Sequence, residues 1–280
     1  MDKLISIVLP VYNGERFLRE SIDSIRRQTY TGWELIIVDD CSSDATPDIA
    51  KEYASADSRI HYYRNEANLK LPRTLNKGFS LARGDYLTWT SDDNRFQHQA
   101  LEKMLNKLLS DPEAQVVYAA YQLIDEKGNT TGQIYADEYP NKHILGENVI
   151  GSCFMFTRKA YETTGEYDPE LFLVEDYDYW QRMLMQYKAV GIHETLYDYR
   201  MHGSSLTSTK NEKRFGELLE YMLLKNRPGF GKIDAEAEYH FYRTLVRARE
   251  KQGGENPYRF RYLWSCVKCF IRHPFRYHLM

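Results

Sequence analysis

The chain has 280 residues, 42% of them hydrophobic and 28% charged, enough for one large domain, or a domain with an appendage, around a sizeable core, and this excludes a wholly disordered protein. Lys plus Arg number 37 against 40 Asp plus Glu, a net charge of -3 with pI near 6.3, so no global field draws the chain onto nucleic acid and an anionic ligand must be met by local groups. The apolar run at residues 4–11 is too short for a membrane span, carries Pro10 and lacks a small-residue cleavage site, so it does not read as a signal peptide and a cytoplasmic location is expected.

In chain order, residues 5–11 are near-continuously apolar. Tyr12-Asn13-Gly14-Glu15 follow, then Leu18, Ile22 and Ile25 at helical spacing: strand, turn, amphipathic helix. Leu35-Ile36-Ile37-Val38 ends at Asp39-Asp40, and Pro47 after Ser42-Ser43-Asp44 suits a first helical turn, a second strand–helix unit. Residues 60–63 predict a third strand, and Leu71, Leu75 and Phe79 a helix that Gly84 can end. Residues 86–90 read as a buried strand stopping at Asp92-Asp93; Leu101, Met104, Leu105 and Leu108 give a helix and residues 116–121 a strand. This alternation predicts an α/β fold with a mainly parallel, Rossmann-like sheet and helices on both faces.

Then the pattern changes. Lys127-Gly128-Asn129 marks a turn between two extended pieces, and residues 136–148 have little periodicity and read as a loop of the kind that often serves a site. Residues 151–156 return to strand character and 158–164 to a short helix before Gly165; Glu175-Asp176 open a helix running through Met183 and Leu184. Residues 189–193 and 196–201 are two extended pieces, and from residue 210 onward there are three helical stretches. The cysteines, Cys41, Cys153, Cys266 and Cys269, include one C-x-x-C without further ligands at zinc-motif spacing, and read as reduced, packed thiols. No Walker loop or G-x-G-x-x-G fingerprint is present, so phosphates would have to be held another way.

In open α/β sheets ligands gather at the carboxyl ends of strands, where Asp92-Asp93 fall. A nucleotide diphosphate whose leaving group develops negative charge calls for a hard divalent cation, Mn2+ or Mg2+, held by one or two carboxylates. Glu175-Asp176 sit at a helix start, whose positive end keeps an acid ionised, and an ionised acid beside a hydroxyl can act as general base. Each motif alone has a plainer reading: a surface loop for Asp92-Asp93, a capped strand-end loop for Asp39-Asp40, helix-start electrostatics for Asp176, a surface histidine for His202.

Together the motifs resemble glycosyltransferase family 2. The resemblance is carried by residues 6–13, by residues 35–44 with Asp39-Asp40-Cys41-Ser42-Ser43-Asp44, by Ala82-Arg83-Gly84-Asp85-Tyr86 before Ser91-Asp92-Asp93-Asn94, by Glu175-Asp176-Tyr177-Asp178, and by Tyr199-Arg200-Met201-His202. It implies a GT-A fold and a metal-dependent, inverting transfer of sugar from a nucleotide diphosphate donor, UDP favoured over dTDP, to a saccharide, lipid-linked or protein-linked acceptor. By the same resemblance Pro10, Tyr12 and Asp40 line the nucleoside pocket, Asp92 lies against ribose or metal, Asp93 and His202 hold the metal, Arg73 meets phosphate or ribose, Gly151 lets backbone approach the donor, and Asp176 is the base. Ser91 and Asn94 stand where most members have Asp, and Lys70 replaces a frequent glycine. The implied layout is a catalytic domain over 1–207, with a nucleotide-sugar half at 1–120 and an acceptor half at 121–207, and a helical extension over 208–280.

Beyond Glu255 there is no acid, while Arg259, Arg261, Lys268, Arg272 and Arg276 alternate with Tyr258, Phe260, Tyr262, Trp264, Phe270, Phe275 and Tyr277. That mixture suits an interfacial helix at the inner membrane face, a helix packed on its own domain, or a homodimer contact. Two other function classes stay open: a non-catalytic sugar-nucleotide-binding subunit, suggested by Ser91 and Asn94, and a glycoside hydrolase, which also uses paired carboxylates.

Overall fold

A computed structural model describes residues 3–203, 211–253 and 255–272. The first half alternates as expected: β1 Ile5–Val11, α1 Leu18–Arg26, β2 Trp33–Asp39, α2 Thr46–Ala56, β3 Ile60–Arg64, α3 Leu71–Leu81, β4 Tyr86–Trp89, β5 Arg95–Phe96, α4 Ala100–Ser110 and β6 Ala114–Ile124. The second half contains β7 Thr130–Ile134, α5 Pro140–His143, β8 Phe154–Thr157, α6 Arg158–Thr164, a 3-10 turn at Pro169–Leu171, α7 Glu175–Leu184 and β9 Lys188–Arg200. It is followed by α8 Glu212–Asn226, α9 Ala235–Gln252 and α10 Arg259–Arg272.

One nine-stranded sheet runs in the order β3-β2-β1-β4-β8-β6-β9-β5, with β7 on β6. Strands β3, β2, β1 and β4 are parallel, as are β6 and β9; the ladders through β8, β5 and β7 are antiparallel. Both faces are covered, and the strands show it residue by residue. Ile5, Ile7, Leu9 and Val11 of β1 join one hydrophobic cluster with Leu18, Ile22 and Ile25 of α1, whereas Val8 joins the opposite one with Leu75 and Phe79 of α3.

Several expectations are corrected. Gly84 does not end α3, which stops at Leu81; its amide donates to Ser6 Oγ at 2.7 Å, and a Cβ there would fall 2.6 Å from the Leu4 carbonyl oxygen. Arg83 beside it pairs with buried Glu34 at 2.7 Å, so Ala82-Arg83-Gly84 fastens a helix end to the sheet. The two extended pieces after α7 form the single strand β9, bent by register shifts against β6. Residues 136–148 are not all loop, since α5 forms a helical turn there and Ile144 and Leu145 are buried. Strand β5 carries too few residues to leave a periodic signal.

Helices α8 and α9 share the core of the sheet domain. Leu218, Leu219, Met222 and Leu223 of α8 and Phe241 and Leu245 of α9 belong to the cluster that contains Phe154 and Trp180. Helix α10 packs on α9 and buries Ser265 and Cys269, while Phe260, Leu263, Trp264, Val267, Phe270 and Ile271 are exposed. Lys210, Phe275, Arg276 and Tyr277 lie outside the described residues.

Candidate active site

Strands β1, β2 and β4 end along one edge of the sheet, and a cleft of about 780 Å³ opens there. On one side it is lined by Pro10, Tyr12 and Asp40. Tyr12 is half exposed, its ring presented to the opening. Asp40 is buried, its amide held by the Val11 carbonyl just past β2. Its Oδ1 accepts from Asn65 Nδ2 and the Leu69 amide, both at 2.8 Å, and its Oδ2 from the Lys70 amide at 2.9 Å. A carboxylate has about four lone-pair sites, so roughly one remains for a ligand. Neighbouring Asp39 instead faces Tyr62, whose hydroxyl donates to its Oδ2 at 2.8 Å, and the Ser42 amide, and these tie the loop after β2.

Asp92 and Asp93 follow β4 and point to different partners. Asp92 lies so close to Gly14 that a Cβ on that glycine would sit 2.2 Å from Asp92 Oδ2. Burial, reinforced by the charge of Asp93, pushes the Asp92 carboxyl well above the usual carboxylate range. Asp93 Oδ2 is 2.9 Å from His202 Nε2, while its Oδ1 is buried with no hydrogen-bond partner among the described residues. A buried carboxylate oxygen without a hydrogen-bond donor is costly, and a cation is one group that could satisfy it.

The late motif is brought to this point by β9. Arg200, 1% exposed, donates from Nε to the Asp93 carbonyl at 2.9 Å and from Nη2 to Glu20 at 2.7 Å, and its guanidinium stacks on Phe17, which the His202 ring also touches. Asn94 is buried and its Oδ1 accepts from the Arg200 amide at 2.8 Å. An amide side chain performs that task as well as a carboxylate and adds no charge beside Asp92 and Asp93. Ser91 lines the cleft, its carbonyl held by Ser21 Oγ at 2.9 Å.

Glu175 and Asp176 face the same cleft from the start of α7. Asp176 Oδ2 accepts from Asn148 Nδ2 at 2.9 Å and Oδ1 from the Tyr177 amide at 2.7 Å; Glu175 accepts at 2.6 Å from the amide of Leu173, a residue itself held at φ +93. The helix start was expected to keep Asp176 ionised. Burial outweighs it and raises both carboxyl groups, Glu175 further through the charge of Asp176.

Gly151 also lines the cleft, at φ +67, and a Cβ there would meet the Tyr121 ring at 2.6 Å. Arg73 is the one expected site residue not brought in. It does not line the cleft and pairs with Glu170 at 3.5 Å. Lys70, in sequence only a departure from the family pattern, is the sole lysine or arginine lining the cleft among the described residues, at φ +70, a conformation that explains why glycine suits this position. Asn148, within the segment read as loop, and Phe215, from α8, also line the cleft. Asn148 had a signal, an irregular segment near a site; Phe215 lies in a helix with ordinary core periodicity and had none.

A family model described as glycosyl transferase family 2 matches residues 6–165. An uncharacterized glycosyltransferase of Rickettsia typhi is 33% identical over 74% of this chain, which spans 66% of that relative's length. The putative teichuronic acid biosynthesis glycosyltransferase TuaG of Bacillus subtilis is 30% identical over 74% of this chain and 82% of its own. Among solved structures, S. aureus TarS residues 1–349 with UDP-GlcNAc superposes with a TM-score of 0.74 at 15% identity, over 93% of this chain and 79% of that one. The mannosyltransferase PcManGT of Pyrobaculum calidifontis, in complex with GDP-Man and Mn2+, superposes with 0.67 at 16% identity, over 99% and 83%. These likenesses establish the GT-A fold. With the matched family model and the motif residues gathered at one cleft, the chain belongs to glycosyltransferase family 2.

Proposed function

We propose that this chain is an inverting glycosyltransferase that moves a sugar from a nucleotide diphosphate donor, UDP favoured, to an acceptor hydroxyl in surface polysaccharide or glycoconjugate synthesis. One observation carries the reading: Asp40, Asp93 and Asp176 line a single cleft although they come from separate strand and helix ends. The nucleoside would lie against Pro10 and Tyr12, with the remaining acceptor capacity of Asp40 toward a pyrimidine base. Asp93 and His202, with Asp92 beside them, fit a divalent cation, because the donor set is oxygen and imidazole and one Asp93 oxygen is buried without a partner. Such a cation, Mn2+ or Mg2+, neutralises charge on a diphosphate when bound.

The chain's own residues supply the rest. An acceptor hydroxyl oxygen attacks the anomeric carbon from the face opposite the phosphate, its proton passes to the Asp176 carboxylate, and the bond from anomeric carbon to phosphate oxygen breaks with its electron pair on the diphosphate. Asn148 and the Tyr177 amide hold Asp176 in place. Lys70 faces the cleft as a point charge for phosphate. The catalytic unit would be residues 1–207, with the extension adding Phe215 to the cleft wall.

A thermal-shift panel of UDP-, dTDP- and GDP-sugars with and without Mn2+ tests this. A UDP-sugar at 100-fold over its Kd should stabilise by about 2.7 kcal/mol, and only with the cation. Equal melting with every donor would overturn the reading.

The extension adds a second element to the reading, contact with an anionic bilayer at the inner leaflet. Phe260, Leu263, Trp264, Val267, Phe270 and Ile271 recur at helical spacing on α10 and remain exposed, Phe260 at 79% and Ile271 at 71%. The same segment is basic and has no acid beyond Glu255, so an anionic surface complements it whereas a second copy would bring two positive helices together. Among the described residues no helix is long and apolar enough to cross a membrane, and the contact would lie in the interface. Flotation of the full chain with anionic vesicles should recover it, and the Trp264→Glu/Ile271→Glu double variant should stay at the bottom; equal recovery removes the membrane contact, and a concentration-dependent dimer lost in the variant replaces it.

A further inference from the structure

Away from the cleft, α5 meets α9 through a set of polar groups that sugar transfer does not use. His143 ends α5; Glu236 and His240 stand one helical turn apart on α9, and therefore on one face. One ligand atom from each residue can be chosen so that all three lie within 4.8 Å of one another. Two of these groups carry buried nitrogens, His143 Nε2 and His240 Nδ1, with no hydrogen-bond partner among the described residues. The rings are tilted against each other with centroids 5.0 Å apart. Glu236 is 6% exposed; its Oε2 takes Lys142 Nζ, and its Oε1 lies 3.5 Å from His143 Nε2. His143 Nδ1 is held by Asp137 at 2.8 Å.

We propose that His143 Nε2, Glu236 and His240 Nδ1 bind a zinc-class divalent cation that clamps the C-terminal helices to the sheet domain. The donor set is two imidazoles and a carboxylate, which suits Zn2+ and leaves a fourth position for water. Asp137 behind His143 is the carboxylate that turns a metal-binding imidazole and fixes its tautomer, so that Nε2 faces the ion. Lys142 occupies the far oxygen of Glu236 and makes that carboxylate a single-oxygen donor; Asp137 and Asp234 keep the surroundings from turning positive. The ion would resolve an otherwise unexplained feature, two buried imidazole nitrogens, on rings whose centroids are 5.0 Å apart, without a hydrogen-bond partner among the described residues. No motif spacing announces it, because His143 lies in one irregular segment and its partners about ninety residues on, in a helix.

The test uses the full chain with Asp93→Asn, so that the cleft no longer competes for cation, stripped with EDTA, desalted and titrated with ZnCl2. One Zn2+ per chain should bind at micromolar affinity or tighter and raise the melting temperature, and His240→Gln in the same background should lose both. Asp137→Asn should weaken Zn2+ on the order of 10- to 100-fold, the usual effect of removing such a supporting carboxylate. No melting shift with Zn2+, or an equal shift with His240→Gln, overturns the site. Should His240→Gln fail to fold, Co2+ added to the Asp93→Asn chain decides: the intense visible bands of a four-coordinate ion support the site, and the faint bands of aqueous Co2+ overturn it.

Discussion

The two acidic pairs of the cleft are alike in sequence and opposite in construction. Asp92-Asp93 follows a strand, and its members face away from each other's partners: one lies on Gly14, the other on His202 with an oxygen to spare. Glu175-Asp176 opens a helix, and its carboxylates accept from backbone amides and Asn148. Burial raises Asp92, Glu175 and Asp176 alike, so protonation alone does not tell them apart. The difference lies in what is left unsatisfied. On the proposed reading, the pair with an unpartnered oxygen and an imidazole beside it would hold the cation, and the pair whose oxygens accept from amide donors would present one carboxylate to the acceptor hydroxyl.

Substitution at each pair separates the two roles. Asp176→Asn keeps the hydrogen bond from Asn148 within reach and the volume unchanged, yet cannot take a proton. It should lower kcat by roughly 10²- to 10⁴-fold, the range of a lost general base, while a UDP-sugar still raises the melting temperature. Asp93→Asn should instead remove the Mn2+-dependent part of that melting shift, with turnover falling through donor binding as well as through the rate. Turnover equal to wild type in either variant would break the comparison, and identical profiles in both would show that the pairs do one job.

The parallel strands could be read directly from the sequence, because a strand buried on both faces is a continuous apolar run and β1, β2 and β4 are such runs. Their carboxyl ends lead to Asp40, Asp92 and Asp93, and all three line the cleft. What stayed hidden depended on distant partners. Arg83-Gly84 look like part of a site motif and instead fasten β1 and β2 through Ser6 and Glu34, a contact no local spacing reports. The resemblance implies a donor-side role for Arg73, which stands on α3 outside the cleft lining and pairs with Glu170 on the surface. Asn94 reads in sequence as a missing acid, whereas its side-chain carbonyl oxygen accepts from the Arg200 amide across the sheet. Lys70 and Phe215 were invisible as site residues because their sequence surroundings signal only a helix start and a helix core. The ionisation of Asp176 departs from the helix-start expectation for a related reason: helix-start electrostatics are local, and burial is the product of the whole fold.

The smallest expected effect concerns the raised Asp176 carboxyl. Because the folded Asp176 carboxyl ionises above the ordinary carboxylate range, its base form accumulates only as pH rises through that raised value, and transfer should climb with pH along this limb. The sign for stability is opposite. A carboxyl raised by folding supports the folded state fully below the unfolded pKa and withdraws that support as pH rises through the folded one. Asn148 donates to the charged form and so pulls the value down against burial. Asn148→Ala should therefore move the acidic limb to higher pH and cost on the order of tenfold in rate on that limb, since a hydrogen bond to a charged group contributes roughly 1.5 kcal/mol or more. At pH well above the limb the variant should approach the wild-type rate. A uniform loss at every pH would make Asn148 a contact for donor or acceptor rather than a support for the base, and a pH–rate series of the two proteins at saturating donor distinguishes these outcomes.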